Sequence, residues 1–483
     1  MSAVVAETAP RRAKTWDFTR LPAFVEMARG APGRIALLLA SALLMRPITP
    51  QWPLIVVCAA AVTFTQRRHA VAIVTAASLM TLAFWPTWYT DPAASLAASR
   101  AGLPEALSPF VRWGASGAAL AFSAAFLALV RSGRPAWLCR HPFLGLLAVL
   151  ATLVVAAQYA PVAIQARIWL WSLASALGGY IWILALIAGE QRNAVSRTPF
   201  LEQFIAVHPV WGSTGTPYAM APKKMRRFAA ASAEALLDSQ IRGFRLLIWA
   251  EILMAMLMLY SRLVHGALGI PTVREAIAAY LGPGLPWTTR WLSLICDFFE
   301  AILRIAVFGH AIVAGARLVG YNLPRNTYRP LSSRTLVEFW GRYYYYFKEL
   351  MLNLFYFPAF LTCFRAHPRL RAAFATFMAA GVGNLLFHAV RELDRVPALG
   401  LPQAVLGLQT YAFYCLILAT GIVVSQLRSA PLVTEGGWLK TRAAPFLGVM
   451  LFFCLLQVFD DTRRTMSLLD HLRFFVSLFQ PFR

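Results

Sequence analysis

The chain has 483 residues, of which 59% are hydrophobic and only 14% are charged. That polar fraction is too small to cover a soluble globule of this size, so the composition excludes an ordinary soluble protein and predicts a membrane protein. The 45 Lys and Arg against 21 Asp and Glu give a formal charge of +24. Basic residues concentrate in the cytoplasmic loops of membrane proteins, so we attribute the charge to loops and predict no nucleic-acid partner.

Residues 1–34 are a basic segment that precedes the first apolar run. The segment contains Arg11, Arg12 and Lys14, but no compact apolar core followed by a small-residue cleavage site. We interpret residues 1–34 as a cytoplasmic tail, in which residues 18–28 form an amphipathic helix on the inner leaflet. Residues 35–483 are then predicted to be a single multi-span membrane domain, with membrane lipids among its partners.

Apolar runs along the chain predict many membrane-spanning helices, each of which needs about 20 mostly apolar residues. The first two runs are short enough to form one hairpin. The basic loops 66–69, 131–141, 190–245 and 321–348 alternate with loops poor in basic residues, such as the one holding Asp91, Arg100 and Glu105. The positive-inside rule therefore predicts a multi-pass protein of the inner (plasma) membrane with its N-terminus in the cytoplasm. The runs are residues 35–45, 53–65, 70–88, 113–130, 143–160, 168–188, 246–260, 291–318, 372–390, 404–424, 445–459 and 466–479.

The apolar run 351–364 breaks this alternation, because a full crossing would place the basic stretch 365–371 outside. A re-entrant run removes the conflict and leaves the mixed-charge loops 391–395 and 460–464 outside. Half-inserted backbone at membrane depth is tolerated where protein or a water-filled cavity surrounds it, so the run indicates a functional cavity. The predicted fold class is all-α: a polytopic transmembrane helical bundle with a re-entrant segment and interfacial helices.

Several common chemistries lack their sequence signatures. The six cysteines show no metal-ligand spacing and lie mostly in apolar runs, so we predict no disulfide, no metal site and no bound cofactor. GxGxxG and GxxxxGK[ST] phosphate loops are absent, as is a repeat of fixed period. These absences disfavour hydride transfer, ATP hydrolysis and transport by inverted repeats.

The segment 325–350 is unusually rich in Arg, Tyr and Trp. Pro330 with Ser332 or Ser333 predicts the start of a helix, and the aromatic residues that follow form a stripe along it. An isolated helix of this kind would be interfacial, lying in the lipid headgroups. The stripe consists of Phe339, Trp340, Tyr343, Tyr346 and Phe347.

The helix predicted at 372–390 contains Asn384 and ends near a histidine, His388. An ionisable side chain inside a span is costly to bury without a partner, so such a residue indicates function by default. The structural alternative is that His388 caps a helix end near the outer interface and is satisfied by Glu392, four residues later.

The sequence Arg-Pro-Leu-Ser-Ser-Arg-Thr-Leu-Val-Glu-Phe-Trp-Gly-Arg-Tyr at 329–343, then an apolar run and a lone His on the next helix, resembles the membrane-bound O-acyltransferase (MBOAT) superfamily. The stretch 455–464 is similar to the C-terminal end of that family. The likeness is clearest from residue 330 onward, with an MBOAT-like motif region at 324–395. Bacterial members carry a His or Asn where this chain has Tyr344, and Asn353 is the candidate substitute.

This resemblance implies an O-acyltransferase that moves an acyl group, acetyl in the first instance, from acyl-CoA to a hydroxyl. His388 is the expected general base, and the amides of Asn353 and Asn384 are candidate donors to the developing oxyanion. Acyl-CoA is a co-substrate, and the acceptor is a polysaccharide, a lipid or a small molecule. The candidate substrate-binding residues are Arg334, Glu338, Trp340, Arg342 and Tyr344.

Two other classes of function remain open. A transporter or flippase would use Asp297, Glu300, Arg304 and His388 as an intramembrane relay, although Glu300 and Arg304 are also spaced for a packing ion pair. A polysaccharide polymerase or glycosyltransferase would use a lipid-linked donor, but the outer loops are short and poor in acidic residues.

Overall fold

The computed structural model describes residues 18–84, 108–190, 199–212, 220–282, 284–428, 437–461 and 466–481. These residues form helices, with no strand among them except an isolated antiparallel bridge between Ala229 and Tyr321. The predicted all-α class is therefore confirmed. Most of the predicted tail, the loop with Asp91, Arg100 and Glu105, and residues 462–464 lie outside the described residues.

Helices in the first half of the chain are mostly long and apolar, and several of them pack against helices that are near to them in the chain. They are α1 (Pro22–Arg29), α2 (Ala31–Met45), α3 (Trp52–Phe64), α4 (Arg67–Phe84), α5 (Ser108–Ser132), α6 (Ala136–Arg140), α7 (Pro142–Tyr159), α8 (Ile164–Glu190), α9 (Phe200–Val207), α10 (Pro222–Arg226) and α11 (Ala233–Ser261), which continues as a π-helical turn at Arg262–Ala267.

In the second half, long helices alternate with short ones, and π-helical turns interrupt several of them. The helices are α12 (Val273–Leu281), α13 (Trp287–Leu318), α14 (Leu336–Tyr343), α15 (Tyr345–Met351), α16 (Phe357–Thr362), α17 (Pro368–Phe377), α18 (Asn384–Arg391), α19 (Val396–Leu399), α20 (Leu401–Leu406), α21 (Gln409–Leu427), α22 (Ala444–Leu456) and α23 (Leu468–Ser477). The π turns are Leu352–Tyr356, Met378–Gly383 and Leu439–Ala443.

Seven helices of the described residues are long and apolar enough to cross a membrane, and the pair α1 and α2, bent by 104°, would be an eighth. They make the chain a multi-pass helical membrane protein. The seven are Trp113–Ser132, Pro142–Tyr159, Ile164–Glu190, Ala233–Ala267, Pro368–Arg391, Leu401–Leu427 and Leu439–Phe459.

Three local predictions compare directly with the structure. Residues 18–28 do contain a helix, α1, but Phe24 stacks on Phe244 of α11 with ring centroids 6.2 Å apart, so protein covers part of its apolar face. Helix α14 begins at Leu336 with Thr335 as its N-cap, so the start predicted from Pro330 and Ser332 or Ser333 is wrong; a 3₁₀ turn occupies Pro330–Ser332. The last predicted span, 466–479, forms a ten-residue helix of about 15 Å, half the hydrocarbon thickness.

The run predicted to be re-entrant forms one arm of a helical hairpin. After α16 the chain turns back, and the Phe364 ring meets the Phe374 ring of α17 edge to face, with centroids 5.1 Å apart. The Arg371 guanidinium lies 4.0 Å from the ring centroid of Phe360, which joins the two arms. A hairpin is the shape that a re-entrant segment needs; its position relative to the bilayer stays a prediction.

Replacing Gly383 with alanine will destabilise the protein, because the two π turns pack closely against each other at this glycine. A Cβ at Gly383 would lie 2.6 Å from Cδ2 of the buried Phe355 ring. Such overpacking costs about 1–3 kcal/mol. Gly448→Ala is the matched control, because its Cβ would meet no atom within 4 Å, and a lower melting temperature for G383A alone is the expected result. Equal melting temperatures for both variants would contradict the close packing.

Candidate functional site

His388 lies in the last turn of α18, and a tyrosine from a neighbouring span holds its ring. The hydroxyl of Tyr411, on α21, is 2.6 Å from His388 Nε2, and the two ring centroids are 4.0 Å apart. His388 is half-buried, whereas Tyr411 is buried. Glu392, the alternative partner in the sequence, pairs its carboxylate with Arg395 at 2.7 Å. The imidazole Nε2 therefore has a buried phenol as its partner.

Further polar side chains surround this His388–Tyr411 pair. Tyr414 stacks on Tyr411 with ring centroids 5.2 Å apart. Asp460, just beyond the span Leu439–Phe459, interacts electrostatically with both tyrosines. Burial raises the pKa of Asp460 to about 6, although the Arg391 guanidinium opposes the shift. A polar cluster thus forms between α18, α21 and the end of α22.

Aromatic contacts join this cluster to the segment 325–350. Phe387, adjacent to His388, meets Phe347 edge to face with centroids 5.0 Å apart and lies 5.3 Å from the Trp182 ring of α8. Phe347 in turn packs beside Tyr344 at 5.6 Å, and Tyr344 interacts electrostatically with Arg391. The fold therefore brings the Arg/Tyr/Trp-rich segment and His388 into one neighbourhood, as the sequence analysis expects.

The two asparagines differ in their surroundings. Asn384 follows the π turn Met378–Gly383 and is buried, and its Oδ1 has no hydrogen-bond partner among the described residues. Asn353 is exposed, and its Nδ2 donates to the Glu349 carbonyl one turn earlier, at 2.6 Å. Of the two amides, Asn384 is the buried one, and it lies one helical turn before His388.

The residues predicted to bind substrate mostly stabilise α14. Glu338 accepts from the backbone N–H of Arg334 at 2.8 Å and forms an ion pair with Arg342, while its own N–H donates to Thr335 Oγ1. Trp340 is buried in the core. Tyr344 is half-buried, and it interacts electrostatically with Arg391 of the helix that carries His388. A substrate-binding role for all five residues stays a prediction.

Glu349, in α15, connects the segment 325–350 to the loop before α11. Its carboxylate forms an ion pair with Lys224 of α10, and its Oε1 lies 3.2 Å from Lys348 Nζ. Burial alone would raise the pKa of Glu349, but the two ammonium groups hold it below its ordinary value. The stabilising contribution is therefore present above the unfolded pKa of about 4.5 and is lost as the pH falls.

Glu349→Gln will lower the melting temperature at pH 7, corresponding to about 1–3 kcal/mol for a lost charge-assisted hydrogen bond. The difference from the unmodified protein will shrink as the pH falls below 4.5 and through the lowered folded-state pKa of Glu349, because below that pKa the carboxyl is protonated in both states. Glu26→Gln is the control, because Glu26 pairs with Arg29 on an exposed surface. A destabilisation that stays the same at every pH down to acid unfolding would show that charge is not its cause.

Two features of the structure are not predicted from the sequence. Tyr411 is one; the available signal was a pair of tyrosines, Tyr411 and Tyr414, three residues apart inside an otherwise apolar span. The other is His265, which lies beside Asp297 and Glu300. The predicted Glu300–Arg304 ion pair is confirmed, at 2.5 Å. The acidic residues of the transport alternative thus have His265 as a neighbour, whereas His388 pairs with Tyr411.

This arrangement can transfer protons inside a membrane-spanning helical bundle. The hydrogen bond to the Tyr411 hydroxyl fixes the orientation of the His388 imidazole. A general base must be positioned in this way. The buried rings of Phe387 and Tyr411 contact the His388 imidazole, and the Asn384 amide lies one helical turn away. In comparisons with known proteins, the chain matches no protein-family model and no curated protein.

Proposed function

We propose that the chain is a membrane-embedded O-acyltransferase, similar to the MBOAT superfamily, that transfers an acyl group from acyl-CoA to a hydroxyl. The observation that carries the proposal is the hydrogen bond between His388 and Tyr411 within an apolar bundle, beside the segment 325–350. A histidine fixed in this way, in a chain without phosphate-binding loops, suits acid–base chemistry more than nucleotide hydrolysis.

The reaction assigns His388 one role. The acceptor hydroxyl oxygen attacks the thioester carbonyl carbon, and His388 takes the hydroxyl proton. The C–S bond then breaks, the acyl group is left as an oxygen ester, and the proton passes to the departing thiolate of CoA. An amide donor such as that of Asn384 would stabilise the oxyanion that forms on the carbonyl oxygen.

The distribution of basic residues indicates from which side of the membrane each substrate would approach. If the N-terminus is in the cytoplasm, as the positive-inside rule predicts, Lys223, Lys224 and Arg226 face the cytoplasm. Acyl-CoA is present in that compartment. Basic groups attract the phosphates of CoA. In that orientation His388 lies toward the outer end of its helix, so a hydroxyl on a polysaccharide, lipid or small molecule would approach from outside.

Consumption of the thioester separates this proposal from the alternatives. Membranes containing the protein will convert radiolabelled acetyl-CoA to free CoA and labelled ester. A transporter would leave acetyl-CoA intact, and a glycosyltransferase would consume a lipid-linked sugar instead. Because all six cysteines are free thiols, CoA should be measured by chromatography rather than with thiol reagents. Intact acetyl-CoA in membranes that also contain the acceptor would refute the proposal.

A further inference from the structure

We propose that His265, Asp297 and Glu300 form a binding site for a divalent transition-metal ion, with Zn²⁺ as the best-fitting ion. One ligand atom from each residue lies within 4.8 Å of the other two. The three residues come from the π turn at the end of α11 and from the third and fourth turns of α13. The inference does not depend on acyl transfer, because it involves a separate group of side chains.

The distances within this cluster match those between ligands of a small ion. His265 Nε2 lies 3.0 Å from Glu300 Oε2 and 3.8 Å from Asp297 Oδ1. Ligand atoms that are each about 2.0–2.2 Å from a tetrahedral Zn²⁺ are separated by about 3.4 Å. The two separations lie on either side of that value, so small side-chain rotations would place all three atoms around one ion.

The second polar atom of each ligand is already held by a different group. His265 Nδ1 is 2.7 Å from the Ile270 carbonyl oxygen, and Asp297 Oδ2 accepts from the Val273 N–H at 2.6 Å. Glu300 Oε1 accepts from Arg304 at 2.5 Å. Outer hydrogen bonds of this kind orient metal ligands in proteins. They leave Nε2, Oδ1 and Oε2 directed toward one another.

The Ile270 carbonyl also fixes the tautomer of the imidazole. A carbonyl oxygen only accepts, so His265 carries its proton on Nδ1, and in the neutral ring the Nε2 lone pair faces the two carboxylates. If the ring were instead doubly protonated, Nε2–H would donate a hydrogen bond to Glu300 Oε2. Asp297 Oδ1, at 3.8 Å, would then be beyond hydrogen-bond range. A metal ion satisfies all three atoms together.

The donor set selects the class of ion. One imidazole and two carboxylates suit Zn²⁺, Co²⁺ or Mn²⁺, whereas Mg²⁺ and Ca²⁺ prefer oxygen ligands alone. The side chains of His265, Asp297 and Glu300 are between 12% and 24% exposed, so protein does not fully enclose the cluster and a fourth ligand such as water would complete the coordination. The bound ion would link α11, the start of α12 and α13.

Metal content of the purified full-length protein tests the site. After treatment with a chelator and addition of Zn²⁺, the unmodified protein will retain about one tightly bound ion more than His265→Ala by elemental analysis. His265→Ala, Asp297→Asn and Glu300→Gln will each weaken binding by about 100-fold or more, since even outer partners are worth 10–100-fold. His141→Ala, which removes an exposed histidine elsewhere, will bind as the unmodified protein does.

The visible absorption of bound Co²⁺ is a second measurement, and in the unmodified protein it does not depend on how well the variants fold. Co²⁺ in a site with nitrogen and oxygen ligands gives visible d–d absorption, which the unmodified protein will show and which excess Zn²⁺ will abolish. Variants should be compared only after each elutes as a single species by size exclusion. Zn²⁺ retention equal in the His265→Ala and unmodified proteins, or no Co²⁺ absorption in the unmodified protein, would overturn the proposal.

Discussion

Replacing His388 with alanine will lower acyl transfer from acetyl-CoA by at least about 100-fold, the usual contribution of a positioned general base. Without the imidazole, the acceptor hydroxyl has no group placed to take its proton, and Tyr411 loses its partner at 2.6 Å. The measurement is the rate of labelled ester formation in membranes with matched amounts of protein. Binding of acetyl-CoA should change much less than turnover, because the base acts in the transition state.

His367→Ala is the matched control for this experiment. His367 lies in the turn between α16 and α17, within the same motif region, and is exposed. Its removal should leave the rate within about two-fold, as expected for a surface change. If His388→Ala retained full activity, or if both variants lost it equally, His388 would not be the base.

Replacing Tyr411 with phenylalanine will reduce turnover by about 10-fold to 100-fold, the cost of a misplaced catalytic group. The ring remains and continues to pack against His388, but the hydroxyl that holds Nε2 is lost. Tyr411 is a positioning residue in this account, since it acts through His388. Its loss should therefore lower kcat while KM for acetyl-CoA stays nearly constant.

Tyr280→Phe controls for the loss of a tyrosine hydroxyl from a packed ring. Tyr280 lies on α12 against Phe474 and Arg290. Its variant should keep both kcat and KM. The double variant His388→Ala/Tyr411→Phe should be no slower than His388→Ala alone, because the hydroxyl has nothing left to position. Additive losses in the double variant would show that Tyr411 acts independently of His388.

Residue patterns predict much of the fold, because lipid imposes a simple rule on length and polarity. Apolar runs such as 143–160 correspond closely to helices, here α7. Helix starts are less certain: Pro330 suggested one, but Thr335 and Glu338 have the Ser/Thr-x-x-Glu spacing of a helix N-terminus. The Thr335 side chain accepts the Glu338 N–H, and the helix begins there.

Contacts between distant helices lie beyond such patterns. His388 and Tyr411 are 23 residues apart and lie on different helices. The sequence around either residue does not indicate that the other is its partner. His265 is 35 residues from Glu300, whereas metal motifs that can be recognised in a sequence have short, fixed spacings. Identifying either pair requires knowledge of how α18 packs on α21 and α11 on α13.

A cryo-EM structure of the full chain in a lipid nanodisc with a non-hydrolysable thioether analogue of acetyl-CoA would test the central proposal most directly. We expect the carbon that replaces the thioester carbonyl to lie within about 4 Å of the His388 ring, the distance that a reactive complex requires. We also expect the CoA moiety to emerge beside the basic loop containing Lys224. An analogue bound elsewhere, with the His388 ring facing lipid, would contradict the assignment of this residue as the base.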